Sequence, residues 1–340
     1  MLAHVYRVTK YDPADRDEHG YYTGLEDTDS DHGEVEASYL QAVSTFAIKS
    51  GVDRLTIREP GVPSTARFAA ESRWDGYGLD GLFPPALSTA TGPSVPPGFH
   101  DGAIVPLRIA LELVRAMLRG SGAWCRLEVE DAFAVHVGWD QYLYIGSSSP
   151  CEEALAEVRA LGLFAERMPS SPYDFDPETD EAGFLRPGDD EFWEMLGSAV
   201  ASGRAGVLEE MIVGGATRWH HLTPGTIDAV RACMGPRARL AVRPPLSSDT
   251  RAVLASLPAD GLVEGVWQDQ DGRIHSAVCD EEDLPELASR ISSAAAAVLV
   301  SVYEGEDLPL YTAVMPDNDG VVRARWGPGP AVGDQDQRTI

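Results

Sequence analysis

Residues 124–146 constrain this chain most. Three apolar–polar alternations, at 124–130, 132–138 and 141–146, follow one another with no room for a helix between them. Alternation with a period of two marks strands that lay one face on a core. Ahead of them, residues 2–9 read as an opening strand. Residues 35–50 place Val35, Tyr39, Ala42, Val43, Phe46 and Ala47 at helical spacing, with Gly51 as a stop, and 52–58 form a short β-branched strand. Pro106 opens a helix to about Arg119, since its missing N–H would be unpaired in a first turn anyway. Another helix spans 150–161. The order β, α, β, loop, α, three strands, α predicts an α+β sandwich with a partly antiparallel sheet.

The second half carries a different set of signals. A helix is expected over 190–202, another from Thr223-Pro224 to Met234, a strand at 238–243 and a helix at 248–257. Asp-Gly turns predict two hairpins, 262–269 with 273–279 and 310–315 with 321–326. At 340 residues the chain has length for about two domains. The expected division is an N-terminal domain over 1–164 with a Pro/Gly-rich loop at 59–105, an acidic Pro-rich linker over 165–190, a C-terminal domain over 191–328 and a mobile tail from 329. The Trp74–Phe83 stretch of the long loop is apolar enough that part of it should dock on a domain. The fold class is thus α+β: two α/β-sandwich-type domains with mixed, partly antiparallel sheets and hairpins.

Charge narrows the partner classes. With 54 acidic residues against 27 Lys+Arg, the formal charge is −27, which repels nucleic acid and anionic membrane at long range. No apolar run approaches the roughly 18 residues of a membrane span, and the N-terminus lacks the pattern of a secretion signal. A cytosolic protein without a membrane partner is expected. The four cysteines, Cys125, Cys151, Cys233 and Cys279, have no C-x-x-C spacing, so buried reduced thiols are expected, not a zinc site or a disulfide framework. Phosphate-loop, dinucleotide, zinc-protease and serine-hydrolase motifs are absent from the sequence, and no cofactor is expected.

A few constellations could carry chemistry. Asp27, Asp29 and Asp31 partly resemble a calcium loop, but Gly33 falls seventh and Ser38 twelfth where such a loop needs Gly sixth and Glu twelfth. A solvated acidic turn explains them better. His136 shares a strand face with Asp140, so the pair could act as a general base and its orienting group. Without a nucleophile, a hydrogen-bonded structural histidine is the stronger reading. His220 and His221 point to opposite sides of an extended segment, and a shared metal would need distant partners such as His4, His100 or Asp228.

The main anomaly lies between residues 211 and 248, where Asp228 stands alone against Arg218, Arg231, Arg237, Arg239 and Arg243. Alternation puts Arg237, Arg239 and Arg243 on one face of a strand, with Ala238, Leu240 and Val242 inward. Trp219 and His220 follow Arg218. Guanidinium groups match phosphate geometry and an exposed indole stacks on unpaired bases, so this face could hold RNA or a phosphorylated ligand. The competing reading is an arginine face paired with the chain's surplus carboxylates. Arg323 and Arg325 would extend the patch. The acidic segment 10–34 is expected to lie near the 218–243 surface and to compete with a polyanion there.

The stretches 1–13, Gly122-Ala-Trp-Cys-Arg-Leu-Glu-Val-Glu130, Val137-Gly-Trp-Asp-Gln-Tyr-Leu-Tyr-Ile-Gly146, Thr217-Arg-Trp-His220 and 261–269 resemble an uncharacterised actinobacterial family. Its members are often labelled RNA-binding proteins. The resemblance covers most of the chain, implies an RNA-associated role and carries over no catalytic residue. A non-enzymatic binding protein is therefore expected, with RNA as partner through Arg218, Trp219, His220, Arg237, Arg239 and Arg243. The alternatives are an acidic module for a basic protein and, more remotely, a hydrolase using His136 and Asp140.

Overall fold

The computed structural model describes residues 2–19, 21–24, 32–63, 76–83, 98–138, 142–171, 186–302, 307–317 and 319–322. They fall into two compact units, the first ending at residue 176 and the second formed chiefly by everything after it. The class is α+β, and among the described residues every pairing between named strands is antiparallel.

The first unit runs β1 (His4–Thr9), α1 (Glu34–Lys49), β2 (Arg54–Gly61), β3 (Ile104–Pro106), α2 (Leu107–Leu118), β4 (Trp124–Val129), β5 (Phe133–Val137), β6 (Leu143–Ser147), α3 (Glu152–Ala160) and β7 (Phe164–Met168). Its seven strands lie in the order β3-β2-β4-β5-β6-β1-β7. Helix α1 buries Tyr39, Ala42, Val43, Phe46 and Ala47, the set that recurs on one face of a 3.6-residue period. It stops at Gly51, whose φ of 71° suits a residue without a Cβ. Helix α2 buries Ile109, Ala110, Leu113, Val114 and Met117 behind Pro106 as its N-cap. Leu127, Val135 and Ile145 share a sheet face and are all buried. Part of the long loop does dock, since Leu79 and Phe99 are buried and Phe83 packs on Phe99. The expected linker starts too early, because residues 164–168 form the edge strand β7 against β1.

The second unit comprises α4 (Asp190–Ala201), β8 (Val207–Val213), β9 (Ala216–His221), α5 (Ile227–Cys233), β10 (Arg239–Arg243), α6 (Thr250–Ala255), β11 (Val263–Gln268), β12 (Ile274–Cys279), α7 (Leu284–Ser292), β13 (Ala296–Ser301) and β14 (Tyr311–Val314). Its described residues form two sheets, one ordered β14-β10-β8-β9 and one ordered β12-β11-β13. Phe192, Leu196, Leu208, Leu240 and Val242 form the core between the four-stranded sheet and its helices. Leu287 and Ile291 of α7 pack against Val263 and Ala277 of the three-stranded sheet. The other faces of the two sheets meet at Val207, Trp219, Val266 and Val300.

One local expectation changes here. Helix α5 is capped by Thr226, not Thr223, whose backbone N–H is taken up by the Thr226 hydroxyl at 2.8 Å. Of the hairpin expected at 310–326, the described residues show β14 paired with β10 and a turn in which the Asp317 N–H donates to the Val321 carbonyl at 3.0 Å, while residues 323–326 lie outside the description.

Candidate functional site

The cationic face expected between residues 218 and 243 is present as a set of ion pairs. Glu210 of β8 is almost fully buried and accepts from Arg218 at 3.3 Å and from His220 Nε2 at 2.8 Å, both on β9. Arg237 grips Asp317 with two parallel bonds of 2.7 and 2.9 Å. Arg243 donates to Glu209 at 3.0 Å and to the Asp307 carbonyl at 3.1 Å. Arg231 is bonded to Asp190. Arg239 is half-buried within β10, opposite Met211 and Val314. Paired, bidentate arginines hold geometry well but have little left for an incoming phosphate.

Trp219 departs furthest from the expectation. It is 8% exposed, donates from Nε1 to Glu264 at 2.8 Å, and has the Arg243 guanidinium 5.9 Å from its ring centre. An indole so enclosed cannot stack on a base. The physical reason is that β9 is covered on both faces: Arg218 and His220 turn to Glu210, while Trp219 turns to the three-stranded sheet. Alternation tells which residues share a face, not what covers it.

Beside β9 lies an open groove of about 380 Å³ between α5 and the β11–β12 hairpin, lined by His220, His221, Thr226, Val230, Cys233 and Ile274. Cys233 is exposed, whereas the other three cysteines are buried as expected. Its thiol donates to the Val230 carbonyl at 3.0 Å. Partial burial of the sulfur, and then Glu210, push its pKa up against the opposing pull of Arg218. A protonated thiol is a poor nucleophile, so Cys233 brings no activated sulfur to the groove. His221 points the other way from His220, with Nδ1 3.5 Å from Gln268 Nε2. Among the described residues no group of three or more His, Cys, Asp and Glu is arranged to hold a metal ion. Asp27, Asp29, Asp31, Asp140, Arg323 and Arg325 lie outside the described residues.

His136 is not placed for acid–base work. It is 4% exposed, with Trp124 edge-on at 4.7 Å and Tyr144 at 6.4 Å, beside a cavity of about 20 Å³. That is space for about one water molecule. Burial, helped by Arg126, lowers its pKa to about 3. A base that weak is neutral at pH 7 and a poor proton acceptor. The folded value lies below the ordinary 6.5, so His136 subtracts stability as pH falls from about 6.5 toward 3, where the unfolded chain takes up the proton first. Ring chemical shifts of His136 are expected to stay constant between pH 5 and 9. A titration centred near 6.5 would contradict the burial.

The same sheet face carries a network that the sequence reading misses. Arg58 reaches Glu128 at 2.8 Å and Asp101 at 3.6 Å, while Arg126 lies 3.5 Å from Glu59 and 3.6 Å from Glu128. Asp101 is 1% exposed and accepts from the Glu59 backbone N–H at 3.1 Å. Glu59 sits at φ 48°, where the β2–β4 register shifts. Such bulges re-aim side chains, and here one brings Glu59 to Arg126. The available signal was Trp124, Arg126 and Glu128 alternating with Cys125 and Leu127. Its partners Glu59 and Asp101 lay inside what reads as loop.

No family model, curated protein or solved structure matches this chain. No helix among the described residues is long and apolar enough to cross a membrane.

Proposed function

We propose that this protein is a non-catalytic binding protein whose acidic surface recruits a basic macromolecule, a basic protein rather than RNA. The observation that carries the reading is the neutralisation of the cationic segment 211–248. Arg218, Arg231, Arg237 and Arg243 each sit against a carboxylate, within a chain of net charge −27. Acidic surfaces steer basic partners and speed encounter, while they repel polyphosphate backbones. The engagement of Trp219 by Glu264 and the weak basicity of His136 weigh against the base-stacking and general-base readings.

The RNA association implied by the family resemblance is the outcome that the test must separate. Full-length protein, immobilised at about 50 mM salt where electrostatic nucleic-acid binding is strong, is exposed to a cell extract with and without ribonuclease. Basic proteins are expected in the eluate, unchanged by the nuclease and released as salt rises. Protected RNA in the eluate, or loss of the captured proteins on nuclease treatment, would overturn the reading in favour of RNA.

A further inference from the structure

Between the two sheets of the second unit, Glu264 projects from the same face of β11 as Val266 and enters a seam closed by Val207, Trp219 and Val300. Each neighbouring strand presents a group to it. Trp219 of β9 donates at 2.8 Å. Ser276 of β12 adds a hydroxyl hydrogen bond, Glu209 of β8 adds a like charge, and Arg243 of β10 adds an opposite one. Cys279, also on β12, is buried, and its thiol is pushed up to about 12, in part by Glu264. From β13 come the apolar Val298 and Val300. Arg243 is already engaged by Glu209 at 3.0 Å and stacks toward the Trp219 ring. Two carboxylates therefore share one guanidinium, and the nearer claim belongs to Glu209.

We propose that Glu264 makes this seam a pH-sensitive joint, closed while its carboxyl carries a proton and loosened when it ionises. The direction follows from the surroundings. Burial, then Glu209, raise the Glu264 pKa to about 7, and the Trp219 and Ser276 hydrogen bonds and Arg243 only partly oppose them. In the unfolded chain the group titrates near the ordinary value of 4.5. A folded value above the unfolded one means that its contribution to stability is fully present below pH 4.5 and is lost as pH rises through about 7. Between pH 5 and 8.5 the closing equilibrium constant is expected to fall about 75-fold.

The test follows hydrogen-exchange protection of the β9 and β11 amides in the full-length chain from pH 5 to 8.5, corrected for the intrinsic pH dependence of exchange. Protection in the wild type is expected to fall as pH rises from 5 and to level off above about pH 7. Glu264→Gln, which keeps an acceptor for Trp219 but cannot ionise, should flatten that profile. Glu209→Gln removes the like charge and should move that levelling-off to lower pH. Trp219→Phe removes the donor that favours the ionised form and should move it to higher pH. A Glu264→Gln profile that superimposes on the wild type's would overturn the joint. Should that variant fail to fold, the opposite shifts of the other two decide, and absence of both shifts overturns it equally.

Discussion

Replacing Arg58 with methionine is expected to destabilise the first unit by about 3–5 kcal/mol, the cost of leaving buried charge without its partner. Methionine keeps most of the apolar stem but removes the guanidinium that faces two carboxylates. Asp101 is fully enclosed at its side chain and Glu128 nearly so, so neither can turn to water for compensation. Arg126 sits 3.6 Å from Glu128 and would take over only part of the charge. Denaturant titration read from the β2–β4 region measures the loss. The companion experiment replaces the whole network: adding Asp101→Asn and Glu128→Gln to Arg58→Met should recover most of it, because removing every charge also removes the desolvation penalty. A loss below about 1 kcal/mol in the single variant, the scale of exposed pairs, would mean the carboxylates reach solvent.

The second large effect is expected at Phe192, in the first turn of α4. Its ring is completely buried with Leu196, Leu208 and Leu240, and it meets the Trp193 ring edge-on at 5.4 Å. The helix start is anchored independently, since Asp189 accepts from the Phe192 N–H at 3.2 Å. The backbone would therefore hold its place when the ring is removed, and the void would not collapse. Phe192→Ala should cost about 3–5 kcal/mol, the upper range for a cavity that cannot relax. Phe192→Leu should restore more than half of that. Denaturation midpoints of the two variants provide the check, and equal losses in both would show that ring shape, not volume, sets the packing.

The strands from β4 to β6 are legible in the sequence because one of their faces is uniformly apolar, as Leu127, Val135 and Ile145 demand. Helices α1, α2 and α4 are legible for the matching reason at a period of 3.6 residues. Strands β8 and β9 are not. Both of their faces are covered, and buried Glu210 interrupts the alternation with a charge that only its cross-strand partners Arg218 and His220 explain. Strand β7 is a half-exposed edge and carries almost no pattern. The continuous apolar run of β13 fits a strand or a buried helix equally well. For the candidate site, the shared face of Arg239 and Arg243 could be read from spacing. What meets that face could not, because Glu264 and Asp317 arrive from distant parts of the chain once the sheets have formed.

The position of β1 has a consequence for synthesis. The first strand of the chain lies between β6 and β7, with His4 opposite Ser147 and Val5 opposite Met168. As the chain leaves the ribosome, β1 therefore has no strand partner until more than a hundred later residues have emerged, although Tyr6 can already meet Phe46 of α1, 5.6 Å away. At about 5–20 residues per second this wait lasts on the order of ten to thirty seconds. Throughout it both backbone edges of β1 stay unpaired, and β7 is the strand that closes the second of them. A ribosome paused before residue 168 would thus hold a nascent chain in which β1 still offers an open edge to chaperones, and to mistaken partners.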